Sequence, residues 1–180
     1  MKASYFVLLA VVVIVLISAQ FIIQMTEITN LRAQHDTDAK MAVIERDSLR
    51  ALLAPGLGEY MMGVQQHHAK LWFAGVNKNW DLAAYEIGEI DELFGDVAAT
   101  HPTNGSIALT PIVQAIRTRE LAQLDTVVLR RGESGDFRAS FIALNAACNN
   151  CHKATEHPFI KIQPPTTPPA TNQDYMLVEH

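Results

Sequence analysis

Residues 136–157 read DFRASFIALNAACNNCHKATEH. Phe137, Phe141, Leu144, Cys148 and then Cys151 and His152 recur at steps of three and four, so an α-helix carries all of them on one side. The helix is expected to begin near Asp136. It is expected to end by about His157, because a residue that precedes proline, here Pro158, is pushed out of the helical region. This is the clearest inner face in the chain, and the rest of the sequence is read outward from it.

Toward the N-terminus three more segments have helical periodicity. In the first, from about Leu57 to Val76, Leu57, Met61, Val64, His68, Leu71 and Gly75 share a face, with Trp72 beside it. Asn77-Lys78-Asn79 makes a turn. Asn79 is placed to cap the second segment, Trp80 to Val97, and Asp81 complements the dipole in its first turn. Leu82, Ala83, Ile87, Ile90 and Phe94 line the inner face of that helix. Glu86, Glu89, Asp91 and Glu92 are expected outside, as a solvated acidic face. A loop with the turn pairs His101-Pro102 and Asn104-Gly105 follows. The third segment starts with Thr110 as N-cap and Pro111 at the first helical position. It carries Ile112, Ile116, Leu121, Leu124 and Val128, and Gly132 ends it after Arg130-Arg131. No strand-like alternation appears. The expected fold is all-α, an antiparallel up-down four-helix bundle over residues 55–157 with short connections.

Three segments flank that domain. Residues 5–25, YFVLLAVVVIVLISAQFIIQM, are almost unbroken in apolar character, with Lys2 the only charge ahead of them. A signal peptide has an apolar core of about 7–15 residues and a small-residue cleavage site, which Ile17-Ser18-Ala19 supplies before Gln20. A membrane anchor needs roughly 20 apolar residues, and Phe21-Ile22-Ile23 carries the run to about that length. Residues 1–25 are therefore read as a transmembrane signal-anchor, with a cleaved signal peptide as the alternative. Residues 26–54 mix sparse apolar positions with charges of both signs and contain no glycine and no proline before Pro55, the pattern of a solvated helical stalk. Its heptads are too poor to argue for a homodimeric coiled coil. Residues 158–180, with Pro164-Pro165 and Pro168-Pro169, read as an extended, non-globular tail, with Phe159 and Ile160 as the residues able to fold back on the bundle.

The chemistry lies in Cys148-Asn149-Asn150-Cys151-His152, a C-x-x-C-H run, which is the attachment pattern of a c-type haem. Two thiols one helical turn apart are spaced to add to the two vinyl groups, and the following histidine then places a nitrogen under the iron as proximal ligand. A redox disulfide belongs with a βαβ pattern that is missing here. A zinc site needs two further ligands, for which His157 is one candidate. These are the only two cysteines, so no separate disulfide framework exists. Both readings of the N-terminus send the domain out of the cytoplasm, where haem is attached to cytochromes of this type.

A C-x-x-C-H run near the end of a last helix, behind three other helices, resembles the class II cytochromes c, the group of cytochrome c′ and cytochrome c-556. The resemblance covers roughly Leu57 to His157. It implies a four-helix bundle with one haem c bound covalently by Cys148 and Cys151, and His152 as proximal iron ligand. It also implies that a residue of the first helix faces the sixth coordination position: methionine in low-spin carriers, a bulky apolar residue in five-coordinate gas-binding members. In an antiparallel pair, that helix meets His152 near Met61 and Met62. Met61 is preferred for its inner face. Met62, His68 and His67 are the alternatives. The anchor with its stalk and the Pro-rich extension depart from the family pattern.

The expected function is electron transfer by Fe(III)/Fe(II) cycling, tethered at the periplasmic side of a bacterial inner membrane, or soluble in the periplasm if the N-terminus is cleaved. Partners are then redox proteins met by transient docking. Binding of nitric oxide or carbon monoxide at an open iron is the alternative, and a structural subunit of a membrane redox complex is the second. With 14 Lys and Arg against 19 Asp and Glu, and a net charge of −5, no basic patch exists for nucleic acid. No Ser/His/Asp set or phosphate loop points to a conventional enzyme. Peroxidase-like activity of an open haem is the one enzymatic alternative.

Overall fold

The computed structural model describes residues 2–176. The chain divides into two units between Leu53 and Ala54. The first is a single α-helix, α1, Lys2–Leu53. Its 52 residues rise about 80 Å at about 1.5 Å each. Nothing in this stretch breaks a helix, and the hydroxyls of Ser18, Thr26, Thr29 and Thr37 donate back to carbonyls three or four residues earlier. The apolar end of α1 is long and hydrophobic enough to serve as a membrane anchor or a signal sequence, with a mean hydropathy of 2.1. Ala54-Pro55-Gly56 ends the helix.

The second unit is helical, with almost no strand among the described residues. Its elements are α2 (Leu57–Val76), α3 (Trp80–Thr100), α4 (Leu109–Ile116), a π-helical turn (Arg117–Leu121), α5 (Ala122–Leu129) and α6 (Ser134–Ala154). A two-residue hairpin, β1 (Thr103–Asn104) with β2 (Ile107–Ala108), precedes α4. The sequence reading held no strand there. The turn is Gly105-Ser106, one residue later than the expected Asn104-Gly105, because Asn104 pairs with Ile107 as the last residue of β1; Gly105 takes φ +59°, a conformation open to glycine. α2 packs on α3, α3 on α4 and α5, α5 on α6, and α6 on α2.

Local chemistry explains most boundaries. Asn79 caps α3 as expected, accepting from the Leu82 amide at 3.2 Å. Thr110 does not cap α4. Its hydroxyl donates across to the Ala98 carbonyl at 3.0 Å, tying α4 to the last turn of α3, and the helix starts at Leu109 with Ala108 as the cap. The π turn answers a spacing in the sequence. Ile116 and Leu121 are five residues apart, a step that would throw one of them off an α-helical face. The wider turn keeps both buried, at 6% and 2% exposure.

Helices α2, α5 and α6 all end in the same way. Lys78, Arg131 and Glu156 take positive φ of 60°, 50° and 65°. In each case the following amide bonds back to the carbonyl five residues earlier: Asn79 to Ala74, Gly132 to Val127 and His157 to His152. This is the Schellman arrangement, usually built on glycine. Gly132 thus follows the left-handed residue and does not occupy it. Glu156 closes α6 at Ala154, three residues before the expected limit at His157.

The core gathers on α6. Phe137, Phe141 and Leu144 are fully enclosed, with Leu71 and Ala74 of α2, Ile90 of α3 and Leu124 of α5. Phe137 lies flat against Gly75, where an added Cβ would sit 2.1 Å from the ring. Gly75→Ala is therefore expected to destabilise the unit by about 3 kcal/mol, the upper end of overpacking penalties. Denaturant unfolding with an unchanged slope checks this, and a loss under about 0.5 kcal/mol would mean that the ring moves aside.

Two expectations need correction. Glu86 is not on a solvated face. It is 0% exposed, its carboxylate meets His67 Nδ1 at 2.6 Å, and Lys70 Nζ lies 3.8 Å away. It lies three residues after Ala83 and one before Ile87, so it shares their side of α3, and two basic partners offset its burial. The Pro-rich tail is irregular but not free. Asn149, His152 and Asn79 all bond to its backbone, and Tyr175 is buried, its ring 5.7 Å from Phe73.

Candidate functional site

Cys148, Cys151 and His152 occupy the last two turns of α6, where a three-residue step keeps both thiols on one face. They line a cavity of about 480 Å³. Met61, Met62 and His68 of α2 line the same cavity, with Val97 of α3 and Val113 of α4 giving it apolar walls. The α2 stripe read from the sequence and the cysteine motif of α6 thus meet at one space.

Both cysteines are free thiols. Burial, with Cys151 nearby, pushes Cys148 up to about 12. Burial likewise raises Cys151. Both are neutral at pH 7, which slows disulfide exchange, since the thiolate is the attacking form. Among the described residues, no three or more His, Cys, Asp or Glu side chains converge to hold a bare metal ion.

The histidines divide by their partners. His152 Nδ1 lies 3.0 Å from the Ile160 carbonyl. A carbonyl only accepts, so Nδ1 carries a proton, and the neutral ring in this tautomer has its lone pair on Nε2. His157, which also lines the cavity, donates in the same way to the Thr155 carbonyl at 2.6 Å. His68 is buried, lies against Phe141 with ring centres 4.3 Å apart, and donates from Nε2 to Asn145 Oδ1 at 2.5 Å. His67 turns to Glu86. Of the sequence-named distal candidates, Met61 is half-buried on the cavity wall, Met62 is 65% exposed at its rim, and His68 has one nitrogen committed.

Burial lowers the His68 pKa below its ordinary 6.5. The unfolded chain then binds a proton near pH 6.5 that the folded chain refuses. Stability is fully present above that pH and is lost as the pH falls toward the folded value. Thermal unfolding between about pH 7.5 and 5 is expected to show this decline, and His68→Gln to flatten it. A variant with the wild-type slope would assign the decline elsewhere.

No known family, characterised protein or solved structure matches this chain. The site is therefore judged on its own donor set. Two neutral thiols one turn apart, an imidazole with a bare Nε2 and a thioether on the helix across an apolar cavity fit a haem. A porphyrin brings its own four nitrogen ligands and needs only axial partners and covalent anchors from the protein. The outer contact of His152, a ring N–H donated to a backbone carbonyl, is the one that metal-ligating histidines usually make.

The sequence places Ile160 against the bundle and Asn149 within the cysteine motif, but not the contacts they make with His152 and Ile162. Both act on or through backbone groups, and a backbone carbonyl carries no side-chain signature.

Proposed function

We propose that the chain is a membrane-tethered mono-haem c-type cytochrome that carries single electrons. The observation that supports this most is the shared cavity, with Cys148, Cys151 and His152 on one wall and Met61 facing it from α2. In this reading α2, α3, the α4–α5 rod and α6 form an antiparallel up-down four-helix bundle. Residues 1–25 anchor it, residues 26–54 are the stalk, and the bundle works in the periplasm. Covalently held haem c supplies the reversible Fe(III)/Fe(II) couple. The chain's own residues hold it and shape its surroundings. Cys148 and Cys151 fix it in place, His152 offers Nε2, and Met61 offers its thioether, a pairing that favours a raised potential over two histidines. The apolar walls exclude water. Neutral His68 adds no charge near the site. Redox proteins are the partners, met through small interfaces.

Absorption spectra of the purified protein in both redox states test this reading. Low-spin spectra with a methionine-sulfur band in the oxidised form are expected. High-spin spectra in both states would replace electron transfer with binding of nitric oxide or carbon monoxide at an open iron.

A further inference from the structure

We propose that Asn149, the first residue between the two cysteines, is a positioning residue that clamps the C-terminal segment so that the Ile160 carbonyl holds the His152 imidazole. The significance of that hold rests on His152 being the iron ligand. The contact itself does not.

The Asn149 carboxamide engages one residue of the tail on both sides. Its Nδ2 donates to the Ile162 carbonyl at 2.9 Å, and its Oδ1 accepts from the Ile162 amide at 2.7 Å. A paired bond of this kind fixes a peptide in position and direction, as a neighbouring strand would. Two residues earlier, Ile160 is held at both of its backbone groups. Its amide donates to the His157 carbonyl at 3.0 Å, and its carbonyl accepts from His152 Nδ1 at 3.0 Å. The far end is tied too, by buried Tyr175 and by the bond from Asn79 to the Met176 carbonyl. Pro164, Pro165, Pro168 and Pro169 stiffen the span between the two ends. The tail is thus a strap rather than a trailing end, and its fixed point is the residue beside Cys148.

The chemical consequence falls on the imidazole. Without an acceptor at Nδ1 the ring is free to change tautomer and to rotate. With one, Nε2 stays bare and aimed, and donation of the Nδ1 proton makes the ring a stronger ligand. The spacing makes this economical: the same turn of α6 carries the thiols, the imidazole and the clamp that orients it.

The test compares the full chain with Asn149→Ala and with the isosteric Asn149→Asp, which still accepts from the Ile162 amide but no longer donates. Trypsin cleavage of the native protein after Lys161 reports release of the strap. It is expected to be at least about tenfold faster in Asn149→Ala, and no slower in Asn149→Asp, whose second carboxylate oxygen would face the Ile162 carbonyl, following the open population of the segment. In the haem-bearing protein, solvent exchange of the His152 Nδ1 proton, followed by NMR, is expected to quicken by a similar factor with covalent haem content unchanged. In haem-free protein at about pH 8.5, where imidazole is neutral, 15N shifts are expected to show one His152 tautomer in wild type and a mixture in Asn149→Ala. Unchanged cleavage would overturn the clamp. Faster cleavage with an unchanged His152 proton or tautomer would overturn its action on the imidazole. If Asn149→Ala does not fold, Asn149→Asp decides by the same criteria. A wild-type chain that never binds haem would defeat the haem reading alone, since cleavage and tautomer still judge the strap.

Discussion

In the Cys148→Ala/Cys151→Ala variant, covalently bound haem is expected to fall to zero. Each thioether forms when a thiol sulfur and its proton add across a vinyl group, and alanine offers neither. Cys148 and Cys151 are the only two cysteines, so no other thiol replaces them; the methionines carry no proton to add. His152 remains in the variant and is expected to keep a dissociable haem at most. The measurement is haem retained on the polypeptide after denaturation and extraction. The single variants should each keep one bond and so retain haem under the same treatment. Haem that stays with the denatured double variant would contradict the assignment of both cysteines. The protonated state of the thiols bears on this. Burial pushes Cys148 up to about 12 and raises Cys151 in the same direction, so the folded chain carries both as neutral thiols at pH 7, the form that adds to a vinyl group.

The second large effect concerns Met61. Met61→Ala is expected to convert a low-spin ferric site to a high-spin one and to open the ferrous form to stoichiometric carbon monoxide, where wild type binds little. Met61 is half-buried on the cavity wall of α2. Its neighbour Met62 has 65% of its surface in solvent, so Met62→Ala should leave the spectrum as it was. His68 competes poorly because its Nε2 is engaged by Asn145, and freeing that nitrogen would strand a buried amide that already has an unpartnered Nδ2. His67 competes least, since leaving Glu86 would uncover a fully buried carboxylate. A wild-type protein that is already high-spin, or a Met61→Ala protein that stays low-spin, would remove Met61 from the iron. The first outcome favours gas binding. The second returns His68 to consideration.

The parts of the molecule that follow from periodicity were legible in the sequence. The α6 face from Phe137 to His152 and the Asn79 cap are in place, and the stripe of α2 from Val64 to Gly75 is buried. Periodicity also contained two signals that were not used. Glu86 sits among Ala83, Ile87 and Ile90 on the wheel of α3, and charge alone argued it outward. The five-residue step from Ile116 to Leu121 was a mark of the π turn. What could not be read has a different cause. The strap is held by backbone carbonyls and amides of Ile160, Ile162 and Met176, groups that every residue owns. Its prolines signal only that it is not helical. The left-handed caps at Lys78, Arg131 and Glu156 likewise fall on residues that carry none of glycine's preference for that conformation.

The central claim is that Cys148, Cys151 and His152 hold one haem covalently. Its most direct test is the intact mass of the protein purified from a host that matures c-type cytochromes, measured after denaturation and treatment with an alkylating reagent. The account predicts a polypeptide heavier by one haem, with neither cysteine alkylated. A bare polypeptide with both cysteines alkylated would contradict it.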